Sequence, residues 1–174
     1  VLVPFELVPS LQVVIQEGLA AQLLSALELA GTNAALESLD GAMIRLRFAN
    51  EGYYIIAREC TGIGGVALFS GLLLAARTTW QRTLGGLVFM LVAVYVVNML
   101  RLLFVSFAMA NDWFGPFLTG ENTVQMTYYV AEVGIGQTTV VAASIAGFLL
   151  VARWIPDLLD FVTEFAGTFG SYRT

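Results

Sequence analysis

The chain has one cysteine, Cys60, and it stands in Arg58-Glu59-Cys60-Thr61-Gly62-Ile63-Gly64-Gly65, where a strand-like segment passes into an apolar helix. A thiolate is a nucleophile, and a helix N-terminus lowers the pKa of a thiol. Free first-turn amides, at Thr61 and Gly62, could hold an oxyanion, and the glycines let a substrate backbone come close. The same residues also read as an inert, buried cysteine beside glycines that serve helix packing. Arg101 lies in Asn98-Met99-Leu100-Arg101, inside an otherwise apolar helix. A charge there costs at least about 2.5 kcal/mol, so it faces a partner or a cavity, or it snorkels to the headgroups. Near a thiolate it would stabilise the anion or bind a developing oxyanion, and Asn98, one turn earlier on the same face, would orient it. Glu132, within Tyr128 to Gln137 of the next apolar helix, wants a cation, and Arg101 is the natural candidate. A protonated, purely structural carboxyl is the other reading of Glu132. Gly134 and Gly136 beside it read as packing glycines.

These residues must be positioned by a short series of elements. Residues 10–30 form an amphipathic or membrane helix, with Gln12, Gln16 and Glu17 on one side and Leu11, Ile15, Leu19 and Leu23 on another. Residues 42–58 form a hairpin. Ile44, Leu46 and Phe48 alternate with Arg45 and Arg47, Asn50-Glu51-Gly52 is a turn signal, and Tyr53 to Ile56 has strand composition. Three apolar helices follow at 61–77, 84–108 and 124–151, and residues 156–174 form an amphipathic tail. The fold class is therefore an all-α membrane protein: one integral domain, a multi-span transmembrane bundle, with a small extracellular hairpin before Cys60. The chain opens on Val1, and Val1 to Pro9 reads as the tail of an earlier element, so spans are expected before it.

Arg77, Arg82 and Arg153 fall on one side if the helices alternate, and the positive-inside rule makes that side cytoplasmic. Arg45, Arg47 and Arg58 lie on the other side, flanked by Glu37, Asp40, Glu51 and Glu59. Cys60 then begins the first apolar helix at its outer end. Arg101, about 26 Å along the second at helical rise, nears the same face. Trp80, Trp113 and Trp154 suit the two interfaces.

Composition narrows the classes further. The chain is 58% hydrophobic and 12% charged, whereas a soluble domain carries about 25% charged residues. It has no lysine, and its eight basic residues are all arginine, against thirteen acids. That balance excludes a nucleic-acid partner, whose phosphates need a basic surface. It fits a salt-adapted archaeon, and equally a chain with few charges of any kind. With no histidine there is no Ser-His-Asp triad and no Cys-His pair, and a single cysteine excludes an intrachain disulfide and a Cys-based zinc cluster. No metal and no cofactor is expected.

Glu59-Cys60-Thr61-Gly62-Ile63-Gly64 resembles the cysteine motif of the archaeosortase/exosortase family, in its archaeosortase form. Asn98-Met99-Leu100-Arg101 resembles that family's N-x-x-R motif on the following helix. The resemblance extends from about Leu11 to Val151. It implies a membrane-embedded cysteine transpeptidase whose partner is a C-terminal sorting signal: a short motif, a transmembrane helix and a basic cluster. It implies Cys60 as nucleophile near the outer face of the plasma membrane, Arg101 as thiolate or oxyanion stabiliser, and resolution of a thioester by another nucleophile such as a membrane lipid headgroup. It also implies a third basic residue on the next helix. Tyr128 to Gln137 contains none; Val133 takes the slot, and Glu132 or Tyr128 would have to serve. A non-catalytic member that binds sorting signals is the alternative, followed by an unrelated membrane scaffold or transport subunit in which Arg101 and Glu132 are a structural pair.

Overall fold

A computed structural model describes residues 9–39, 43–50, 52–56, 60, 62–75, 79–117 and 123–170. Thr61, residues 57–59 that lead into Cys60, Arg77 of the basic turn, and the tail beyond Gly170 lie outside the described residues.

Helix α1 runs Pro9–Leu29. Its buried positions Gln16, Leu19, Ala20, Leu23 and Leu27 recur at helical spacing and make one face. That face packs on a three-stranded antiparallel sheet, β1 (Ala34–Leu39), β2 (Met43–Phe48) and β3 (Tyr53–Ile56), in the order β1-β2-β3. The expected hairpin is the β2–β3 pairing, with Leu46 opposite Tyr54 and Ile44 opposite Ile56. β1 is an addition to it. Its sequence, Ala-Ala-Leu-Glu-Ser-Leu, has weak strand propensity, and pairing with β2 overrides that preference. The register sets Glu37 opposite Arg45, and Glu37 also reaches Arg47 at 3.4 Å, so the outer face is an exposed charge cluster. The other face buries Ile44, Leu46, Phe48, Tyr54 and Ile56.

The β2–β3 turn ties the sheet to the helices. Gly52 N–H donates to Asn50 Oδ1 at 3.1 Å, and Asn50 Nδ2 donates to the Met109 carbonyl at 2.8 Å. Met109 is near the end of α3 (Trp80–Ala110), which follows the short α2 (Ile63–Ala75). A turn of 3-10 helix at Gly115–Phe117 leads to α4 (Thr123–Tyr128), a π-helical stretch (Tyr129–Gly136) and α5 (Gln137–Trp154). After Ile155, Pro156 opens α6 (Pro156–Gly170), as suits a residue with no N–H to satisfy. The apolar run over 124–151 is thus one helix interrupted by π-helical turns rather than a uniform α-helix.

α2 and α5 each pack antiparallel to α3. Gly62, before α2, lies against Val94 and Asn98, whereas Leu73 near the end of α2 lies against Gly86. Gly86 also meets Ile155, and Met90 meets Gly147. Two apolar clusters result. One holds α1, the inner sheet face, Cys60, Ala131 and the last third of α3. The other holds Phe69 and Leu73 of α2, Met90, Val151, Ala152, Ile155 and Leu158.

α3 and the continuous helix Val124–Trp154, each 31 residues, are long and apolar enough to cross a bilayer. Only 22% and 17% of their most apolar windows is buried inside the protein, unlike the core helix of a soluble domain. Val88, Val92, Val96 and Leu100 of α3, and Val141, Ile145 and Leu149 of α5, all face outward. In water such surfaces would form an apolar patch far beyond the usual few hundred Å². At 13 residues α2 is shorter than the roughly 20 a span needs. Trp80 and Trp154 are exposed at one end of the bundle and Trp113 at the other.

These two environments predict opposite outcomes on one helix. Leu102 is fully buried, whereas Leu100 is 61% exposed. Leu102→Ala should cost about 2–5 kcal/mol and lower the unfolding midpoint in detergent, and Leu100→Ala should leave it near wild type. Equal midpoints would contradict the described packing of α3.

Candidate active site

Cys60 lies between β3 and α2, buried with 8% of its surface exposed. Helix α2 starts at Ile63, and the Gly62 carbonyl accepts from Val66 N–H, so Cys60 precedes the helix by a short connection instead of opening it. Gly62 has φ +71°, a left-handed conformation, and a Cβ there would come within 3.1 Å of Val94 and 3.6 Å of Asn98. Both observations call for glycine, because a side chain would strain the backbone and push α3 away. Thr61 lies outside the described residues, so its amide has no described geometry.

Asn98 fixes the join. Its Nδ2 donates to the Cys60 carbonyl at 2.5 Å, and the side chain is buried. A buried amide must be hydrogen-bonded, so this contact sets the height of α3 against the cysteine loop. Asn98, expected to orient Arg101, makes its side-chain contact with the Cys60 backbone. One turn on, the Arg101 guanidinium meets Glu132 through Nε at 3.3 Å and through Nη2, a two-pronged contact between nearly buried side chains. Gly136 makes room for it: a Cβ would stand 3.4 Å from Arg101 Cγ and 3.0 Å from the Ala131 carbonyl. Gly134, in contrast, has nothing within 4 Å. The π-helical stretch carries Glu132, and one widened turn is a common way to aim a side chain at a site.

Arg101, Asn98 and Gly62 line a common cavity of about 420 Å³ between α2, α3 and α5. Its other walls are apolar or small, among them Val94, Ser144 and Gly147, and Arg101 is the one charged residue on it among the described residues. No group of metal-ligating side chains occurs among the described residues.

Tyr54 was not singled out from the sequence as a site residue. Its hydroxyl lies 3.5 Å from Cys60 Sγ, and the ring is 2% exposed. Burial, with Cys60 beside it, pushes the phenol well above its usual range, and the Arg101 charge opposes this. The signal was the strand alternation, which puts Tyr54 on the buried face with Ile56, where a phenol needs a polar partner. Tyr128 stands behind it, ring centroids 6.0 Å apart. The thiol also reaches the Ile55 carbonyl, at 4.0 Å.

The sequence profile of a family described as transmembrane exosortase matches residues 1–122. The chain belongs to that family. The matched range holds Cys60, Asn98 and Arg101, and Tyr128 and Glu132 lie beyond it. Together with the two outward-facing apolar helices, membership makes the chain a membrane protein. It is 29% identical over 121 residues to archaeosortase A of Natronomonas pharaonis, covering 64% of this chain and 38% of that protein. It is 25% identical over 116 residues to archaeosortase A of Haloferax volcanii, covering 63% and 38%. The chain thus spans well under half the length of these curated relatives. No solved structure matches it.

The ion pair predicts strong coupling. Glu132→Gln should destabilise the protein by about 3–5 kcal/mol, because it leaves a buried guanidinium unpaired. Replacing both partners (Arg101→Leu with Glu132→Leu) should cost less than the two single leucine changes summed, read from unfolding midpoints in detergent. Simple additivity would mean that the pair is not made.

Proposed function

We propose that the protein is a membrane-embedded cysteine transpeptidase that processes the C-terminal sorting signals of surface proteins. The observation that carries this reading is the join at Asn98, which seats the N-x-x-R helix on the cysteine loop and sets Arg101 and Gly62 on one cavity wall. Cys60 is the nucleophile. Its sulfur attacks the carbonyl carbon of the scissile peptide, the S–C bond forms as the C–N bond breaks, and the amine leaves with a proton. An acceptor nucleophile, for which a membrane lipid headgroup is the candidate, then displaces the sulfur from the thioester. Arg101 stabilises the thiolate or the oxyanion: the Glu132 contact engages Nε and Nη2 and leaves Nη1 outside it. The apolar helix of the signal would pack against the apolar cavity walls. Arg82 and Arg153, at the opposite end of the bundle from Cys60, favour a multi-pass arrangement in the plasma membrane with the site near the outer face.

A non-catalytic, signal-binding role is the second reading, and the Arg101–Glu132 pair favours it. The carboxylate neutralises the one cation on the cavity wall among the described residues, and Tyr128 to Gln137 supplies no other.

The test is processing of a surface protein ending in a short motif, an apolar helix and an arginine cluster, in membranes carrying the full-length protein. Cys60→Ala should abolish trimming, and Arg101→Ala should slow it by about 10²–10³-fold. Trimming that survives Cys60→Ala would end the cysteine mechanism. Binding of the signal by wild type without trimming would establish the second reading.

A further inference from the structure

A cysteine nucleophile is usually activated by a histidine, and this chain has none. Among the described residues, the groups that face Cys60 are those left to assist it. Tyr128 on α4 faces the sulfur at longer range, and Arg101 on α3, which acts on Tyr54 and Tyr128, is itself engaged by Glu132 of the π-helical stretch. Tyr54 on β3 is the one in hydrogen-bond contact with Sγ, at 3.5 Å.

We infer that the Tyr54 hydroxyl is the hydrogen-bond donor that holds the Cys60 sulfur as a thiolate and aims it, a catalytic role that no histidine fills here. This rests on the reading of Cys60 as nucleophile. The geometry separates the two ionisation states of the sulfur. The thiol has an acceptor, the Ile55 carbonyl at 4.0 Å, to which S–H can donate. The thiolate has no proton to give, and the carbonyl then faces it unfavourably. The hydroxyl does the reverse, because it donates most strongly to an anion. Tyr54 therefore tilts the balance towards the thiolate, and the Ile55 carbonyl tilts it back.

The phenol is suited to donating and unsuited to abstracting the proton. Its burial keeps it in the neutral, proton-bearing form, so it serves as a fixed donor and not as a general base. Its position is over-determined: β3 pairs it opposite Leu46, Tyr128 packs against the ring, and Asn98 fixes the carbonyl of the cysteine it serves. With Tyr54 held by its strand and by Tyr128, and Cys60 held by Asn98, donor and acceptor are already organised before any substrate arrives, which is what an electrostatic role requires.

The test is the pH profile of Cys60 alkylation by iodoacetamide in the full-length, detergent-solubilised protein. Alkylation is read on the peptide that carries Cys60, so the signal is specific to this site. Tyr54→Phe keeps the ring and removes the donor. It should raise the midpoint by about one pH unit and slow alkylation about tenfold at a fixed pH below it. The control is Tyr53→Phe, on the exposed face of the same strand, with a midpoint like wild type. 3-Fluorotyrosine placed at position 54 keeps the shape and is a stronger donor, so it should lower the midpoint, and this arm survives if Tyr54→Phe folds poorly. Midpoints that do not move in either Tyr54 variant would overturn the assignment. The assay needs no turnover, so a shifted midpoint in a protein that never trims a sorting signal would sink the transpeptidase reading and with it the catalytic role, leaving only the Tyr54–Cys60 hydrogen bond standing.

Discussion

The structure depends on how one charge is kept inside an apolar bundle. A guanidinium at the depth of Arg101 is tolerated when a carboxylate meets it, and Glu132 does so from the opposite helix. That requirement propagates outward. The arginine stem must pass close to the facing backbone, which requires glycine at 136, and the carboxylate must point inward, which coincides with the π-helical turns. α3 and the helix opposite it are therefore locked in height as well as in orientation. Once α3 is fixed, Asn98 fixes the cysteine loop and Asn50 ties the sheet to the same helix. The pair is a matter of placement more than of net stability, because two desolvated charges return little beyond what their burial costs.

Much of this was legible in the sequence, for identifiable reasons. Long apolar runs declare themselves by composition, and an arginine or glutamate inside one is conspicuous because the bilayer makes it costly. Helix length and alternating topology put Cys60 and Arg101 at one depth as an expectation, and the structure sets Asn98, one turn before Arg101, on the Cys60 carbonyl. Other features left no local trace. β1 has a sequence that suits a helix, and it becomes a strand because β2 offers an edge and Arg45 and Arg47 offer partners for Glu37. The π-helical turns depend on a contact across the bundle, so no window of 129–136 could announce them. The start of α2 at Ile63 depends on the left-handed Gly62, whose need is visible only when Val94 and Asn98 are seen beside it.

The site differs in kind from a Cys-His pair. A histidine both accepts the thiol proton and stabilises the anion. Here the groups in contact with the sulfur are a neutral phenol and a backbone carbonyl, and the cation on the neighbouring helix is engaged by a carboxylate. Such a set can bias an equilibrium but carries no obvious proton acceptor of its own. On the proposed reading the thiol proton would leave to water or to the bound molecule, which ties reactivity to how wet the cavity beside Gly62 and Arg101 is.

The division of the apolar interior into two clusters has a consequence for how the molecule holds together. α3 and the long helix Val124–Trp154 are the only described elements with residues in both clusters. They act as a pair of rivets joining a sheet-bearing lobe to a lobe of short helices, and the cavity lies between the two rivets, against Phe69 and Met90 of the second lobe. Anything that fills it adds contacts to both rivets at once. The protein would then gain cooperativity as well as affinity from its ligand, with slower amide exchange in parts that the ligand never touches.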